Sequence, residues 1–210
     1  LLAKVDSKSL VLTLSQSGET FDTISALKFA KSKGAMTAAV VNVMGSSISR
    51  LVDKVILQGS GPEICVISTK AAFAQMIILT ILALKLSLKR KKIKRREYDS
   101  SITALRELPE VIQNILNERS GFIHRIANNY SKVKNWLYLG RGIYYPVALE
   151  SALKMKEVAY VHAEGMPGGF LKHGTLAMID QDVNSIVFIP PRSDKKLYES
   201  TIHSVEEIRA

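Results

Sequence analysis

Short apolar runs alternate along this chain with amphipathic stretches, and most of the runs end in a polar or glycine-bearing turn. SLVLTL at 9–14 gives way to the loop SQSGET and then to Phe21–Ser32, where Phe21, Ile24, Leu27 and Phe29 recur at helical spacing. A turn at Gly34, the run MTAAVVNV, a second turn MGSS, a short helix around 48–52 and the strand-like VDKVILQG follow. Strand and helix in alternation predict a parallel sheet covered by helices. The run AAFAQMIILTILAL at 71–84 closes this unit and is expected to be a buried core helix. It falls short of the ~20 apolar residues that span a bilayer, and Gln75 interrupts it.

From 93 to 134 the chain is charged and helical, with Pro109 inside, and reads as a connector between a first lobe (1–92) and a second (135–210). The second lobe opens with the strand and glycine turn NWLYLGRG, followed by the helix YPVALESALKMKEVAYV. The glycine-rich GMPGGF reads as a flexible bend, LKHGTLAMID follows, NSIVFIPP forms another strand, and KLYESTIHSVEEIRA is the last helix. A weak internal duplication is visible. LVLTLSQSGETFDTISALKFAKS and SIVFIPPRSDKKLYESTIHSVEE both read as strand, polar loop and amphipathic helix, with Pro190, Pro191 and Arg192 standing where the first copy has hydroxyls.

Composition excludes several classes. With 47% hydrophobic and 23% charged residues in 210, the chain can bury one sizeable core or two modest ones. The formal charge of +10 points toward nucleic acid until its location is noted: seven cations lie in KRKKIKRR at 89–96. No aromatic residue interleaves that run for base stacking, so it reads as a solvated helix face or linker and no nucleic-acid partner is expected. A single cysteine, Cys65, and a start without a signal-peptide pattern point to a reducing cytoplasm. The first residue is not methionine, so a piece of a longer chain or a processed product is expected.

The loop after the first strand carries the first chemical signal. Ser15, Ser17 and Thr20 crowd around Gly18 at the start of a helix, where unpaired backbone N–H groups and the positive end of the helix dipole favour an anion. A phosphate monoester fits; the alternative is that Ser17 or Thr20 only caps the helix. A nucleotide P-loop is absent, as is a dinucleotide fingerprint at Gly140–Gly142, where Tyr145 stands in place of the third glycine. A second signal lies in the helix that follows. Glu150, Lys154 and Glu157 are spaced by four and three, hence on one stripe, while Lys156 points elsewhere. The stripe is either a solvated ion-pair ladder or a carboxylate beside a lysine suited to proton transfer; apolar neighbours at Leu149 and Leu153 leave little of the helix to face water. His162 and His173 match no metal spacing, so no metal is expected, and His173 after the glycine-rich bend reads as a mobile acid or base.

SQSGETFDT, GPEICVISTKA, LGRGIYYPVALESALKMKE and HAEGMPGGFLKHGTLAMID together closely resemble the sugar isomerase (SIS) domains of the glucosamine-6-phosphate synthase family, over essentially the whole chain. The resemblance implies an α/β fold of two flavodoxin-like SIS lobes, both incomplete, with no cofactor. It further implies that Ser15, Gln16, Ser17 and Thr20 hold the phosphate of a hexose 6-phosphate and that Val66 and Ser68 line the sugar. Glu157 would move a proton between C1 and C2, Lys154 would assist, and His173 would open the sugar ring from a neighbouring subunit, which makes a homodimer the expected assembly. In that family the reaction turns fructose 6-phosphate and ammonia into glucosamine 6-phosphate.

Against the family pattern, the glutaminase domain is missing and is expected on a preceding segment or another chain. The first strand and loop of lobe one and the end of lobe two with its lysine-bearing tail are also missing. Phe170 stands where glutamate is common, and Thr175 replaces a frequent proline. Two other readings stand beside the synthase: an SIS deaminase or isomerase working without glutaminase, and a phosphosugar-sensing module. No membrane partner is expected.

Overall fold

All strand pairings among the residues that the computed structural model describes, 4–209, are parallel. Two compact units result, one ending at Asn114 and the other beginning at Ile115. The α/β class with parallel sheets and flanking helices is the one the alternating pattern predicts.

In the first unit, β1 (Leu10–Ser15), β2 (Met36–Val41) and β3 (Lys54–Leu57) lie in that order. Leu10 pairs with Met36 and Ser15 with Val41, while Ala38 pairs with Lys54 and Val41 with Leu57. The central strand β2 is buried from Thr37 onward, as a parallel strand covered on both faces must be. Helix α1 (Phe21–Ser32) crosses from β1 to β2, with Leu27 and Ala30 fully buried. Leu27, Ala39, Val41 and Ile48 form the core, Ile48 coming from the short helix α2 (Ser47–Leu51). Phe21, expected on the inner stripe of α1, is 79% exposed; the helix turns Ile24 and Leu27 inward instead.

Thr37 is buried at the sheet's start, yet all its polar atoms shown bonded meet one residue. Its N–H and hydroxyl donate to Asp53 Oδ2 at 2.8 and 2.7 Å, and the hydroxyl accepts from the Asp53 N–H at 3.2 Å. Lys31 Nζ reaches Asp53 Oδ1 at 3.2 Å. These bonds from Thr37, ahead of the Lys31 charge, depress the Asp53 carboxyl to about 2. A depressed carboxyl stabilises the fold above its unfolded value near ~4 and stops doing so as pH falls through about 2. Asp53→Asn is therefore expected to lower Tm at neutral pH and to flatten the fall of Tm between pH 4 and 2 in a scanning-calorimetry series; an unchanged acid limb would refute the assignment.

Helix α3 (Thr69–Lys89) contradicts its expected burial. Only Ala71 is buried, and Phe73, Met76 and Leu86 are 37%, 55% and 51% exposed. Composition specified an apolar helix but not a partner to cover it. By length and composition alone this helix could cross a membrane. The basic run ends α3, passes through Lys91 with φ 55° and starts α4 (Arg95–Asn129), a 35-residue helix that contains Pro109 and has no buried residue.

In the second unit, β4 (Asn135–Gly140) lies between β5 (His162–Pro167) and β6 (Val183–Val187). Asn135 pairs with both His162 and Val183. Helix α5 (Tyr145–Ala159) links β4 to β5, and α6 (Lys195–Arg209) follows β6. The expected end of the last helix, Ala210, lies outside the described residues. Trp136, Tyr138, Ala148, Ala152 and Ala163 pack on one side of β4; Leu137, Leu139, Met166 and Leu171 pack on the other.

The glycine-rich bend is where the sequence reading fails most clearly, since HAEGMP is strand β5. Gly165 is there because α5 crosses it closely. A Cβ on it would lie 2.6 Å from Leu149 Cα and 2.8 Å from Ala148 O. The glycine reflects crowding rather than flexibility.

Candidate functional site

The carboxyl ends of β1, β2 and β3 deliver three loops to one edge of the first unit, the edge where ligands bind in open α/β sheets. After β1 the chain turns through Gly18 at φ 72°, and a Cβ there would fall 2.1 Å from Ser46 Oγ. The Gly18 N–H donates to Ser15 Oγ at 3.0 Å, and the Glu19 N–H donates to Ser17 Oγ at 3.2 Å. Each hydroxyl thus uses a lone pair on the loop and retains its proton. Thr20 occupies the N-cap position of α1, but its side chain makes no capping bond. The capping alternative therefore accounts for neither Ser17 nor Thr20.

Glu19 and Ser46 are features the sequence reading missed. Glu19 Oε1 accepts the Ser47 N–H at 2.8 Å at the start of α2, and hydrogen bonding from Ser47, side chain before backbone, lowers the Glu19 carboxyl below its ordinary value. The Gly18 carbonyl accepts from Ile48 N at 2.9 Å. Together these bonds tie the hydroxyl loop to the turn after β2. Ser46 is 3% exposed, and its hydroxyl has no partner among the described residues.

Beside the loop, an open cleft of about 700 Å³ is lined by Gln16, Asn42, Val43, Met44, Gly59, Gly61, Pro62 and Glu63. Asn42 fixes its far wall: Nδ2 donates to Gly61 O at 2.6 Å, and Oδ1 accepts from Ser60 N at 3.1 Å and Ser60 Oγ at 3.0 Å. Gln58 and Gln75 extend this network into α3. Only the asparagine closing the apolar run of β2 hinted at it. Of the expected ligands, Gln16 alone lines the cleft. Val66 is 86% exposed, and Ser68, with φ 53°, occupies the N-cap position of α3 without capping it. Neither lines the cleft. No Lys or Arg lines it either; its polar lining is the amides of Gln16 and Asn42 and the carboxylate of Glu63, while the loop hydroxyls stand outside it.

In the second unit the spacing argument on α5 agrees with the geometry. Lys154 Nζ lies 2.9 Å from Glu157 Oε2 and 3.2 Å from Glu150 Oε1, with side chains 22%, 27% and 48% exposed respectively. Burial pulls the Lys154 amine down, but hydrogen bonds and charge from Glu157 and Glu150 outweigh it, and the net shift is upward. Lys156 is exposed, as expected. The expectation that little of α5 faces water is not met: Leu149 and Leu153 are 43% and 41% exposed, because small Ala148 and Ala152 make the contact with the sheet. Glu157 Oε1 takes no hydrogen bond among the described residues. His173 is exposed, in a turn where its N–H donates to Phe170 O at 2.9 Å and its ring meets the Phe170 ring edge-on at 5.8 Å. It does not follow a flexible loop, since β5 and the short 3-10 turn Gly168–Phe170 precede it.

The sequence model of the SIS domain matches residues 1–85 and 129–207. The chain is 44% identical over 206 residues to glutamine–fructose-6-phosphate aminotransferase [isomerizing] of Methanococcus maripaludis, covering 98% of this chain and 33% of that protein. It is 41% identical to the protein of the same name from Caldanaerobacter subterraneus subsp. tengcongensis, with the same coverage. This chain therefore spans about a third of the length of these two relatives. The solved C-terminal domain of glucosamine-fructose-6-phosphate aminotransferase from Francisella tularensis matches with a TM-score of 0.90 and 33% identity, over 98% of this chain and 57% of that one. Glucosamine-6-phosphate deaminase of Thermotoga maritima, 15% identical with a TM-score of 0.70 over 98% and 59%, shares the fold. With the family's pattern matched on both sides of α4 and the hydroxyl loop lying in the first match, this chain belongs to the SIS domain family, and it covers the isomerase-domain portion of its longer relatives.

Proposed function

We propose that this chain is the sugar-phosphate isomerising part of an enzyme that makes glucosamine 6-phosphate from fructose 6-phosphate and ammonia. The observation that carries the reading is the state of the loop hydroxyls. Ser15 and Ser17 accept from the loop's own amides and keep their protons, and Thr20 is not used as a cap, so three donors stand at the start of α1. Ser15, Gln16, Ser17 and Thr20 hold the phosphate, and Val66 and Ser68 contact the sugar. A cup of this kind, without fixed cations, takes a compact phosphate monoester through hydrogen bonding and the helix dipole.

On α5, Glu157 moves the proton between C1 and C2 with its unoccupied Oε1, while Lys154 orients it through Oε2 and offsets negative charge that develops on the sugar oxygens. His173, exposed and without an ion-pair partner among the described residues, opens the ring of sugar bound by a neighbouring subunit of a homodimer. Nitrogen arrives from a glutaminase domain outside this sequence.

The reading is tested by a thermal-shift panel of hexose phosphates against the parent sugars. At a hundred times its dissociation constant a ligand adds about 2.7 kcal/mol of stability. Ser17→Ala is expected to weaken phosphosugar binding by ~10- to 100-fold, the worth of one hydrogen bond to a charged group. A folded chain that responds to no phosphosugar, or whose affinity survives Ser17→Ala unchanged, would overturn it.

A further inference from the structure

The second unit has its own crevice at the carboxyl ends of its strands. From β4 the chain runs through α5 to β5 on one side, then crosses back to β6 on the other, so the loops after β4 and β6 diverge at a topological switch point. A cavity of about 420 Å³ lies there, lined by Arg141 after β4, Pro167 at the end of β5, Phe170 after it, Asp194 just before α6 and Lys196 in its first turn.

Arg141 is the unusual group. Its Nη2 donates to Gly168 O at 3.0 Å and to Ser204 Oγ at 2.8 Å, which fixes the guanidinium. Its Nε is buried without a partner, and no carboxylate lies within ion-pair distance among the described residues. Gly168 and Gly169 give the side chain its room: a Cβ on either would stand 3.2 to 3.3 Å from Arg141 atoms. A partly buried, immobilised guanidinium without a counter-charge is costly unless an anion completes it. Lys196 lines the same cavity and adds a second positive charge, and Asp194 subtracts one. The Asp194 carboxylate accepts the Leu197 N–H at 3.3 Å and so already serves the α6 terminus; the site rests on Arg141 and Lys196 rather than on that terminus. Phe170, 64% exposed at the rim, offers an apolar face for the body of the ligand.

We propose that this crevice is a second ligand site, separate from the hydroxyl loop, that takes a small organic phosphate monoester on Arg141 and Lys196. It goes beyond the proposed function, because neither the isomerisation nor the first phosphate cup requires it.

The test is an NMR titration of the chain with inorganic phosphate and with glucose 6-phosphate, following the Arg141 Nε–H and the amides of Gly168 and Gly169. Saturable shifts are expected, larger for the ester than for the inorganic ion. They persist in Ser17→Ala, weaken about tenfold in Lys196→Gln and disappear in Arg141→Gln. Because Arg141 also braces Gly168 and Ser204, Arg141→Lys serves as the folded control: it keeps the charge but loses the fork, and is expected to bind more weakly than the parent. Shifts reproduced by sodium chloride at matched ionic strength, or undiminished in folded Lys196→Gln, would overturn the proposal. If Ser17→Ala leaves phosphosugar affinity intact while the Gly168 and Gly169 shifts respond as described, the first-unit reading falls and this one stands.

Discussion

Glu157→Gln is expected to leave hexose-phosphate affinity within about twofold of the parent and to lower exchange of the C2 hydrogen with solvent by ~10²- to 10⁴-fold, the usual share of a positioned general base. The amide keeps the shape and can still accept from Lys154 Nζ, which now stands 2.9 Å from Oε2, but it cannot carry a proton. Deuterium incorporation into fructose 6-phosphate or glucose 6-phosphate measures the loss directly. Because the proposed phosphate ligands belong to the first unit and Glu157 to the second, binding and turnover should separate cleanly. Equal losses in both would mean that Glu157 braces α5 rather than reacting, and undiminished exchange would remove it from the chemistry.

Gly165→Ala is expected to carry a large cost to the fold. The new methyl would meet backbone, Leu149 Cα at 2.6 Å and Ala148 O at 2.8 Å, and backbone cannot rotate aside as a side chain can. Helix α5 must lift from β5 or the strand must shift, at about 3 kcal/mol or more. For a unit of this size each kcal/mol moves Tm by roughly 4 to 8 °C. Gly121→Ala is the natural control. It lies on α4 with nothing but its own helix's backbone within 4 Å of the added carbon, so better helix propensity should stabilise it by ~0.5 to 1 kcal/mol. Similar destabilisation of both variants in calorimetry would refute the close-packing account of Gly165.

Where local pattern and tertiary contact agreed, the sequence was enough. Phe21–Ser32 has the bounds its spacing predicts, and Glu150, Lys154 and Glu157 meet because intervals of four and three place them on one stripe. Where a residue's reason lay across the fold, local reading failed. HAEGMP has none of the branched or aromatic residues that mark strands, and it becomes β5 because β4 supplies hydrogen bonds and α5 needs a bare Cα. The apolar composition of α3 foretold a helix but not its exposure. Asn42, Glu19 and Arg141 were passed over for a related reason. Their partners, Ser60 and Gly61, Ser47, and Gly168 and Ser204, are 18 to 63 positions away.

The pairing pattern also bears on how this chain reaches its folded state. With Leu10 opposite Met36 and Asn135 opposite both His162 and Val183, no described sheet can begin as a zipped hairpin. Each pairing must wait for a crossover segment to collapse, which places the chain among slow, topology-limited folders rather than helical bundles. During that wait the unpaired edges of β1 and β3 can recruit strands from other molecules. Recovery from denaturant should consequently decline as protein concentration rises, even under conditions where the finished fold is fully stable.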